Sequence, residues 1–238
     1  MQPMCGRFAL ITPPVRLARY FQATLDDGID LETRPSWNVA PTTQVLGLTA
    51  RREGNAAELA RTLTPFRWGL IPSWAKDAAA GSRLFNARGE TVATRPSFRA
   101  AFKERRIIIP ADGFFEWRKV SSGSKQPHYF TRADREPMAF AGLSEWWRDK
   151  NGPDDAPGIV SCTIITTSAS QDMDGIHDRM PVILNPDTFD VWLNPRNDDT
   201  GELTALLRAA PVGTVVHHPV SQRVGSVRND DATLVEPV

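Results

Sequence analysis

The stretch Ile107-Ile-Ile-Pro-Ala-Asp-Gly-Phe-Phe-Glu-Trp-Arg-Lys-Val120 contains two β-prone runs, Ile107–Ile109 and Gly113–Val120. β-Branched and aromatic side chains at this density favour strands. Similar runs recur along the chain, at Gln44–Ala50, Thr62–Trp68, His128–Thr131, Met138–Leu143, Val160–Thr167 and Thr214–His217. Strands therefore dominate, and we expect an α+β fold with a β-rich, mostly antiparallel sheet core.

A few peripheral helices are predicted beside these strands. Leu17, Phe21 and Leu25 share one face at helical spacing. They predict a helix over Pro13–Leu25, which the side chain of Thr12 would cap. The other predicted helices span Pro96–Arg106, Pro186–Leu193 and Gly201–Ala209.

Three segments rich in Gly, Pro, Ser or Asn are typical of hairpin tips rather than of domain boundaries. They are Glu53–Asn55, Ser121–Lys125 and Asn151–Gly158, and each lies between β-prone runs. The sequence has no internal repeat, so we expect one domain over residues 1–238.

Composition excludes several classes of protein. The 28 basic residues balance the 28 acidic ones, which excludes a uniformly basic nucleic-acid coat but not a local basic groove. Two cysteines cannot form a disulfide framework, and they and the four histidines lack metal-ligand spacing, so we expect no cofactor. With neither a signal peptide nor a membrane span in the sequence, we expect a cytoplasmic protein.

Cys5 is the first candidate for chemistry, in the segment Met4-Cys5-Gly6-Arg7-Phe8. If translation starts at Met4 and that methionine is removed, Cys5 has a free α-amine beside its thiol. Reference pKa values of ~8 for such an amine and ~8.5 for a thiol make both available near neutral pH. An aldehyde would condense with the amine to a Schiff base, which the sulfur would close to a thiazolidine. The alternative is a buried cysteine in a first strand.

Glu116 is the second candidate, because it lies among the aromatic residues of Phe114-Phe-Glu-Trp117. A carboxylate that loses hydration there would have a raised pKa, which suits general acid/base catalysis near neutral pH. The alternative follows from strand alternation, which would place Phe115 and Trp117 inside and Glu116 on the solvent face.

His177 is the third candidate, in the loop-like segment Gly175-Ile-His-Asp-Arg-Met-Pro181. A loop histidine between charged neighbours is typical of functional sites, and the alternative is a surface histidine in a salt bridge. His128 and His217 lie in β-prone runs, where a structural role is favoured.

Asn86, Arg88 and Trp74 are weaker candidates for binding. Asn86 offers a donor and an acceptor, and Arg88 offers a fixed fork of donors for phosphate, although both residue types are common at a helix start. Trp74 closes the segment Trp68-Gly-Leu-Ile-Pro-Ser-Trp74, and a loop tryptophan can stack on unpaired bases. We expect Trp68 to anchor the core instead.

Together these segments resemble one family, the SOS response-associated peptidase (SRAP) family of abasic-site shielding proteins. The matching motifs follow the family's order from one end of the chain to the other. They are Cys5-Gly-Arg-Phe8, Trp37-Asn-Val-Ala-Pro41, Trp68-Gly-Leu-Ile-Pro72, Asn86-Ala-Arg88, Ala111-Asp-Gly-Phe-Phe-Glu-Trp117, Ile176-His-Asp-Arg-Met-Pro181 and His218-Pro-Val-Ser221, with Val224-Gly225 and Asn229 after them.

The resemblance implies an SRAP-like α+β fold with a positively charged groove for single-stranded DNA containing abasic sites. It implies that Cys5, once N-terminal, links covalently to the ring-opened sugar of an abasic site. Asn86 would hold the amine and the adduct, Glu116 would move protons, and His177 would bind and polarise the opened sugar. The implied DNA contacts are Arg7, Asn38, Trp74, Arg88, Thr166 and Arg179. We expect a monomer that is associated with the nucleoid when bound to DNA.

The start of the chain departs from the family pattern, because Met1-Gln-Pro3 precede Met4. We therefore expect the active protein to begin at Cys5, after methionine removal or after self-cleavage by a peptidase activity. After Trp74 the chain reads Ala75-Lys-Asp-Ala-Ala-Ala-Gly81, whereas some relatives carry a second adjacent tryptophan. Two other functions stay open: an N-terminal-nucleophile hydrolase such as a glutamine amidotransferase, and a non-covalent binder of single strands.

Overall fold

The computed structural model describes residues 6–30, 34–52, 59–120, 123–153 and 155–238. Within these residues lie thirteen strands and four α-helices. The strands are β1 (Phe8–Leu10), β2 (Ala23–Leu25), β3 (Ser36–Val39), β4 (Gln44–Arg51), β5 (Ala60–Trp68), β6 (Asn86–Arg88), β7 (Arg106–Ala111), β8 (Gly113–Lys119), β9 (Lys125–Arg132), β10 (Met138–Trp147), β11 (Ile159–Ser168), β12 (Arg179–Pro181) and β13 (Val215–Pro219). The helices are α1 (Pro14–Phe21), α2 (Arg99–Glu104), α3 (Phe189–Leu193) and α4 (Thr200–Ala205).

One sheet has five antiparallel strands in the order β13-β9-β8-β1-β3. β8 lies at its centre and aligns Phe114 with Phe8 on one side and with Phe130 on the other. Strands from both ends of the chain, β1 and β13, therefore belong to the same sheet.

The second sheet has the order β12-β11-β10-β7-β4-β5-β2, and most neighbouring strands in it are antiparallel. β11 also pairs in parallel with β5, where Cys162 lies opposite Trp68, and with β6, where Asn86 lies opposite Ile164. The contact with β5 closes β11, β10, β7, β4 and β5 into a ring.

Two hydrophobic clusters hold these layers together. Alternation along β7 supplies both, since Ile107 and Ile109 face one cluster and Ile108 faces the other. The cluster between the two sheets includes Phe8, Trp68, Phe114, Phe130 and Phe140. The other packs the helices on the second sheet and includes Leu17, Leu48, Phe102, Trp192 and Leu203. Strand alternation thus fixes which residues can face the space between the sheets.

The α1 helix is shorter than the predicted Pro13–Leu25. It ends at Gln22, whose φ of 52° is left-handed, and Ala23–Leu25 then form β2 beside β5. Thr12 does not cap the helix, because its N–H and hydroxyl donate to the carboxylate of Asp112 at 2.7 and 2.6 Å. Pairing of Ala23–Leu25 with β5 overrides the helical pattern there.

The helix predicted over Pro96–Arg106 is also shorter, because Arg106 begins β7. The guanidinium of Arg106 is buried and donates to the carbonyls of Phe102 and Lys103 at 2.7 and 2.6 Å, so it satisfies the end of α2 from outside the helix. Burial lowers the pKa of Arg106 to about 10, which leaves the group cationic at neutral pH.

The remaining predictions of local structure are mostly confirmed. The predicted helix Pro186–Leu193 forms as a 3-10 turn followed by α3, and Gly201–Ala209 contains most of α4. Asn151–Gly158 connects β10 and β11, which pair as a hairpin. Glu53–Asn55 and the first two residues of Ser121–Lys125 lie outside the described residues.

Candidate functional site

Glu116 lies on the face of β8 that packs toward the second sheet. It shares this face with Phe114, which stacks on Phe130 with ring centroids 4.9 Å apart. On the opposite face, Phe115 contacts Tyr129 at 4.8 Å. The solvent-facing alternative for Glu116 is wrong, since only 3% of the residue is exposed. Alternation does turn Glu116 away from Phe115, but what it then faces is the space between the sheets.

The first described residues of the chain lie between β8 and the start of β6. The N–H of Phe115 donates to the carbonyl of Arg7 at 3.0 Å, which joins this end of the chain to β8. A Cβ atom on Gly6 would lie 4.0 Å from Cε2 of Phe85, the residue before β6. Cys5 precedes Gly6 in the sequence and lies outside the described residues.

Asn86 opens β6, so the helix start considered for it is wrong. The Phe85 carbonyl accepts hydrogen bonds from Nε1 of Trp68 at 2.8 Å and from the N–H of Ile164 at 3.1 Å. These bonds fix the main chain immediately before Asn86. Asn86 and Glu116 therefore belong to two strands that border the same end of the chain.

His177 follows a short 3-10 turn and a glycine with positive φ, Gly175 at 74°. Its Nδ1 accepts a hydrogen bond from the N–H of Arg179 at 3.1 Å, so the neutral ring carries its proton on Nε2. Burial lowers the pKa of His177, while the Asp178 carboxylate, 3.1 Å from Nδ1, opposes that shift. His177 lines an open concavity of about 370 Å³ with Ala169, Asp174, Gly175, Ile176 and Asp178.

Arg88, Thr166 and Arg179 meet where β6, β11 and β12 run side by side. Arg179 donates to the carbonyl of Thr166 at 2.8 Å, and the buried Thr166 hydroxyl donates to the carbonyl of Ala87 at 3.3 Å. The guanidinium of Arg179 also forms a two-pronged ion pair with Glu90, with Nη2 2.9 Å from Oε2. The hydrogen bond from Arg179 holds the pKa of the Glu90 carboxyl below its usual range.

Arg7 and Asn38 bind the C-terminal segment, here residues 222–229. Nη1 of Arg7 donates to Oδ1 of Asn38 and to the carbonyl of Val224, both at 2.8 Å, and Nη2 donates to the carbonyl of Gly225 at 3.2 Å. The buried Nδ2 of Asn38 donates to the carbonyls of Val224, Ser226 and Asn229. Both side chains therefore have structural partners in addition to any DNA contact.

Trp74 is 61% exposed, whereas Trp68 is fully buried, as expected for a core anchor. The turn that carries Trp74 is held from behind by Trp147, whose Nε1 donates to the carbonyl of Ala75 at 2.8 Å. The indole of Trp74 is thus displayed on a fixed turn, which suits stacking on a base.

Two charged residues near the site have no role in the sequence-based predictions. Glu90 engages Arg179, and Lys119 at the end of β8 lowers the pKa of His177 through its charge. Glu90 and Arg179 are 89 residues apart, so no local spacing in the sequence signals the first of these contacts. Lys119 reaches His177 only through the fold.

Among the described residues, no group of three or more His, Cys, Asp or Glu side chains is arranged to hold a metal ion. Cys162 is a buried free thiol, and burial raises its pKa. Within the same residues, no helix is long and apolar enough to cross a membrane.

The motif resemblance is confirmed by comparison with known proteins. A family model described as SOS response associated peptidase (SRAP) matches residues 4–227, so the chain belongs to the SRAP family. It is 40% identical to the abasic site processing protein YoqW of Bacillus subtilis over 235 residues, which are 98% of this chain and 99% of that protein. It is 34% identical to the abasic site processing protein YedK of Escherichia coli, over 99% of this chain and all of that protein.

Solved structures share the fold. A protein from Bacteroides thetaiotaomicron is similar with a TM-score of 0.84 at 24% identity, over 98% of this chain and 100% of that one. A protein from Bordetella bronchiseptica is similar with a TM-score of 0.71 at 28% identity, over 91% and 100% of the two chains. The predicted α+β fold with mostly antiparallel sheets is confirmed.

Proposed function

We propose that this protein binds abasic sites in single-stranded DNA and shields them through a covalent bond to Cys5. The observation that carries the proposal is the buried carboxyl group of Glu116 beside the first described residues of a SRAP chain, with Asn86 near the same residues at the start of β6 in the other sheet. The names of the relatives in Bacillus subtilis and Escherichia coli support the abasic site as the target.

In the proposed reaction, the α-amine of Cys5 adds to the C1′ aldehyde of the ring-opened deoxyribose. Loss of water gives a Schiff base, and the sulfur then adds to the same carbon while the thiol proton passes to nitrogen. The product is a thiazolidine. Glu116 would protonate the departing hydroxyl group and take protons from the amine and thiol, which is general acid/base catalysis.

The other site residues would bind and orient the DNA. The Nε2–H of His177 suits a hydrogen bond to an oxygen of the opened sugar, and Asn86 would hold the Cys5 amine. Arg88 and Arg179 would contact phosphates, with lesser roles for Arg7, Asn38 and Thr166. Trp74 would stack on an unpaired base.

The proposed chemistry requires Cys5 to be the first residue of the active protein. With Met4 attached, the Cys5 nitrogen is an amide, which is too weak a nucleophile to form a Schiff base. The family match begins at Met4, which supports initiation there followed by removal of the methionine. Self-cleavage of residues 1–4 would give the same product.

The test is incubation with single-stranded DNA carrying one abasic site, followed by denaturing electrophoresis and intact-mass measurement. We expect a covalent species that contains protein beginning at Cys5. Forms that keep Met1 should bind without crosslinking, and a stable adduct of such a form would contradict the thiazolidine mechanism.

Three variants separate the chemistry from the fold. Cys5→Ala should bind DNA and form no stable adduct, while Cys162→Ala, which removes the buried thiol, should crosslink at the wild-type rate. Glu116→Gln should slow crosslinking by ~10²–10⁴-fold while DNA binding stays near normal. Wild-type kinetics in folded Glu116→Gln would remove Glu116 from the mechanism.

Two outcomes would favour the other functions. Binding to abasic DNA without a covalent band at any time would identify a non-covalent single-strand binder. Release of ammonia from glutamine at useful turnover would identify an N-terminal-nucleophile amidohydrolase instead.

A further inference from the structure

If Glu116 moves protons, it cannot exchange them directly with water, because only 3% of the residue is exposed. An acid/base group that takes up a proton in one step must exchange it with solvent before it can act again. When the Cys5 amine starts as an ammonium, one proton must leave the site for each adduct formed. A route from Glu116 to water is therefore needed.

Strand register places two histidines along such a route. On the five-stranded sheet, Glu116 of β8 lies directly opposite His128 of β9, so their Cβ atoms are expected roughly 5 Å apart on one face. His128 in turn meets His217 of β13, with the two Nδ1 atoms 3.1 Å apart. His217 is exposed, so the three residues run from the interior to the surface.

The hydrogen bonds of His128 fit a residue that receives a proton at one nitrogen and passes one on at the other. Its Nδ1 is engaged by His217, while Nε2 is buried and has no hydrogen-bond partner among the described residues. Only 4% of His128 is exposed. Burying a nitrogen without a hydrogen-bond partner lowers the stability of the folded protein, so the position of Nε2 calls for a functional explanation.

Burial, together with the charges around the two histidines, keeps both rings neutral. Burial and the charges of His217, Arg118 and His218 lower the pKa of His128 to about 4, a value in the range of ordinary carboxyl groups. Burial also lowers the pKa of His217, which the Asp172 carboxylate partly opposes. Both shifts favour neutral rings, which can take up a proton at one nitrogen and give one up at the other.

We propose, on the basis of the proposed function, that His128 and His217 form a proton path between Glu116 and solvent. Because Nε2 of His128 has no hydrogen-bond partner among the described residues, a bridging water molecule carries the proton to it from the Glu116 carboxyl, and the Nδ1 proton of His128 passes to Nδ1 of His217. His217 then releases its Nε2 proton to water. Each nitrogen that gains a proton is matched by one that loses a proton, and the reverse sequence returns a proton to the Glu116 carboxylate.

The test compares His217→Asn with His218→Asn. An asparagine amide can replace the hydrogen bond that Nδ1 of His217 makes with His128, but it cannot change its protonation state. His218 is the matched control because it is the next residue of β13 and faces Tyr129 on the opposite side of the sheet. Both variants change exposed or partly exposed side chains, so both should fold.

Crosslinking rates should be measured in dilute buffer and with added imidazole. We expect His217→Asn to be severalfold slower than wild type in dilute buffer, a smaller loss than the ~10²–10⁴-fold expected without Glu116 itself. Added imidazole should restore the rate of His217→Asn and leave wild type and His218→Asn unchanged. DNA affinity should be equal in all three proteins.

Four results would overturn the proton path. Equal rates for His217→Asn and wild type in dilute buffer would show that Glu116 exchanges protons elsewhere. A slow His217→Asn that imidazole does not restore, or an equally slow His218→Asn, would show a structural effect of the substitution. If wild-type protein forms no adduct, the proposed function itself fails and the proton path falls with it.

Discussion

Arg7 and Arg179 are both expected to contact DNA, yet the protein holds their guanidinium groups in different ways. Arg7 donates to the side-chain oxygen of Asn38 and to two main-chain carbonyls, none of which carries a formal charge. Arg179 donates to the carboxylate of Glu90. The positive charge of Arg7 therefore has no negative charge against it among these partners, whereas the charge of Arg179 is offset by Glu90.

This difference separates a structural role from an electrostatic one. Neutral acceptors leave the charge of Arg7 uncompensated while they tie the C-terminal segment to β1 and β3. A carboxylate in contact cancels most of the field of Arg179 at a distance. We infer that the Arg7–Asn38 cluster mainly stabilises the fold, and that the Arg179–Glu90 pair mainly sets how strongly this surface attracts phosphate.

The largest effect is expected from Asn38→Ala. This change leaves three carbonyls and Arg7 without the side chain that joins them, so we expect a loss of about 2–4 kcal/mol in the free energy of unfolding. Urea denaturation measures it. Asn229→Ala is the control, because Asn229 offers Asn38 only its main-chain carbonyl. It removes one exposed hydrogen bond, from the Asn229 side chain to the carbonyl of Arg223 at 2.7 Å, so its cost should be about 1 kcal/mol. Equal losses of unfolding free energy in the two variants would contradict the structural role of the Arg7–Asn38 cluster.

The next effect is on DNA binding by Arg88→Ala and Arg179→Ala. Each lost phosphate contact should weaken binding to intact single strands and flatten the log–log salt dependence by roughly 0.7 units. Fluorescence anisotropy across a range of salt concentrations gives both quantities. Arg179→Ala should lose more affinity, since it leaves the Glu90 carboxylate without its partner. Affinity and slope unchanged in both variants would reject these contacts.

A smaller effect of opposite sign is expected from Glu90→Gln. Removing the carboxylate releases the charge of Arg179, so single-stranded DNA should bind a few-fold more tightly and with a steeper salt dependence. Asp178→Asn is a matched control, because it removes a nearby exposed carboxylate that does not pair with Arg179. Weaker binding by Glu90→Gln would mean that Glu90 serves to orient Arg179 rather than to offset its charge.

The smallest effect is the contribution of Glu90 to the pH dependence of the free energy of unfolding. Its folded-state pKa is lowered, so the unfolded chain binds the proton more readily than the folded protein. The contribution of Glu90 is thus complete above the ordinary pKa of about 4.3 and is lost as the pH falls through the folded-state value. Because Glu90 is half exposed, the change is slight. Urea midpoints for wild type and Glu90→Gln should converge on acidification, and a constant gap would contradict this linkage.

The strands could be predicted from sequence where their own residues determine them. Gln44–Ala50, Met138–Leu143 and Val160–Thr167 carry enough β-branched and apolar side chains to predict β4, β10 and β11. The short strands β6 and β12 lack such a pattern, because each forms by pairing with the edge of β11. Their existence depends on a neighbour that local sequence does not contain.

The site was predictable as a set of residues but not as an arrangement. The solvent face stayed open as an alternative for Glu116, because the sequence does not show that a second sheet covers that face. Two of the three partners of Arg7 are carbonyls more than two hundred residues away, and a main-chain oxygen leaves no signal in residue type. The roles assigned to the site residues stay predictions.

The position of β1 between β8 and β3 has a mechanical consequence. A DNA strand joined to Cys5 would pull on β1 through Gly6 and Arg7, and the hydrogen bonds of β1 to both neighbours lie across the strand axis. A load along that axis acts on all of these hydrogen bonds at once. A strand that is peeled from the edge of a sheet instead loses its hydrogen bonds one after another. A motor enzyme that tugs on the crosslinked strand would therefore meet an anchorage that resists extraction.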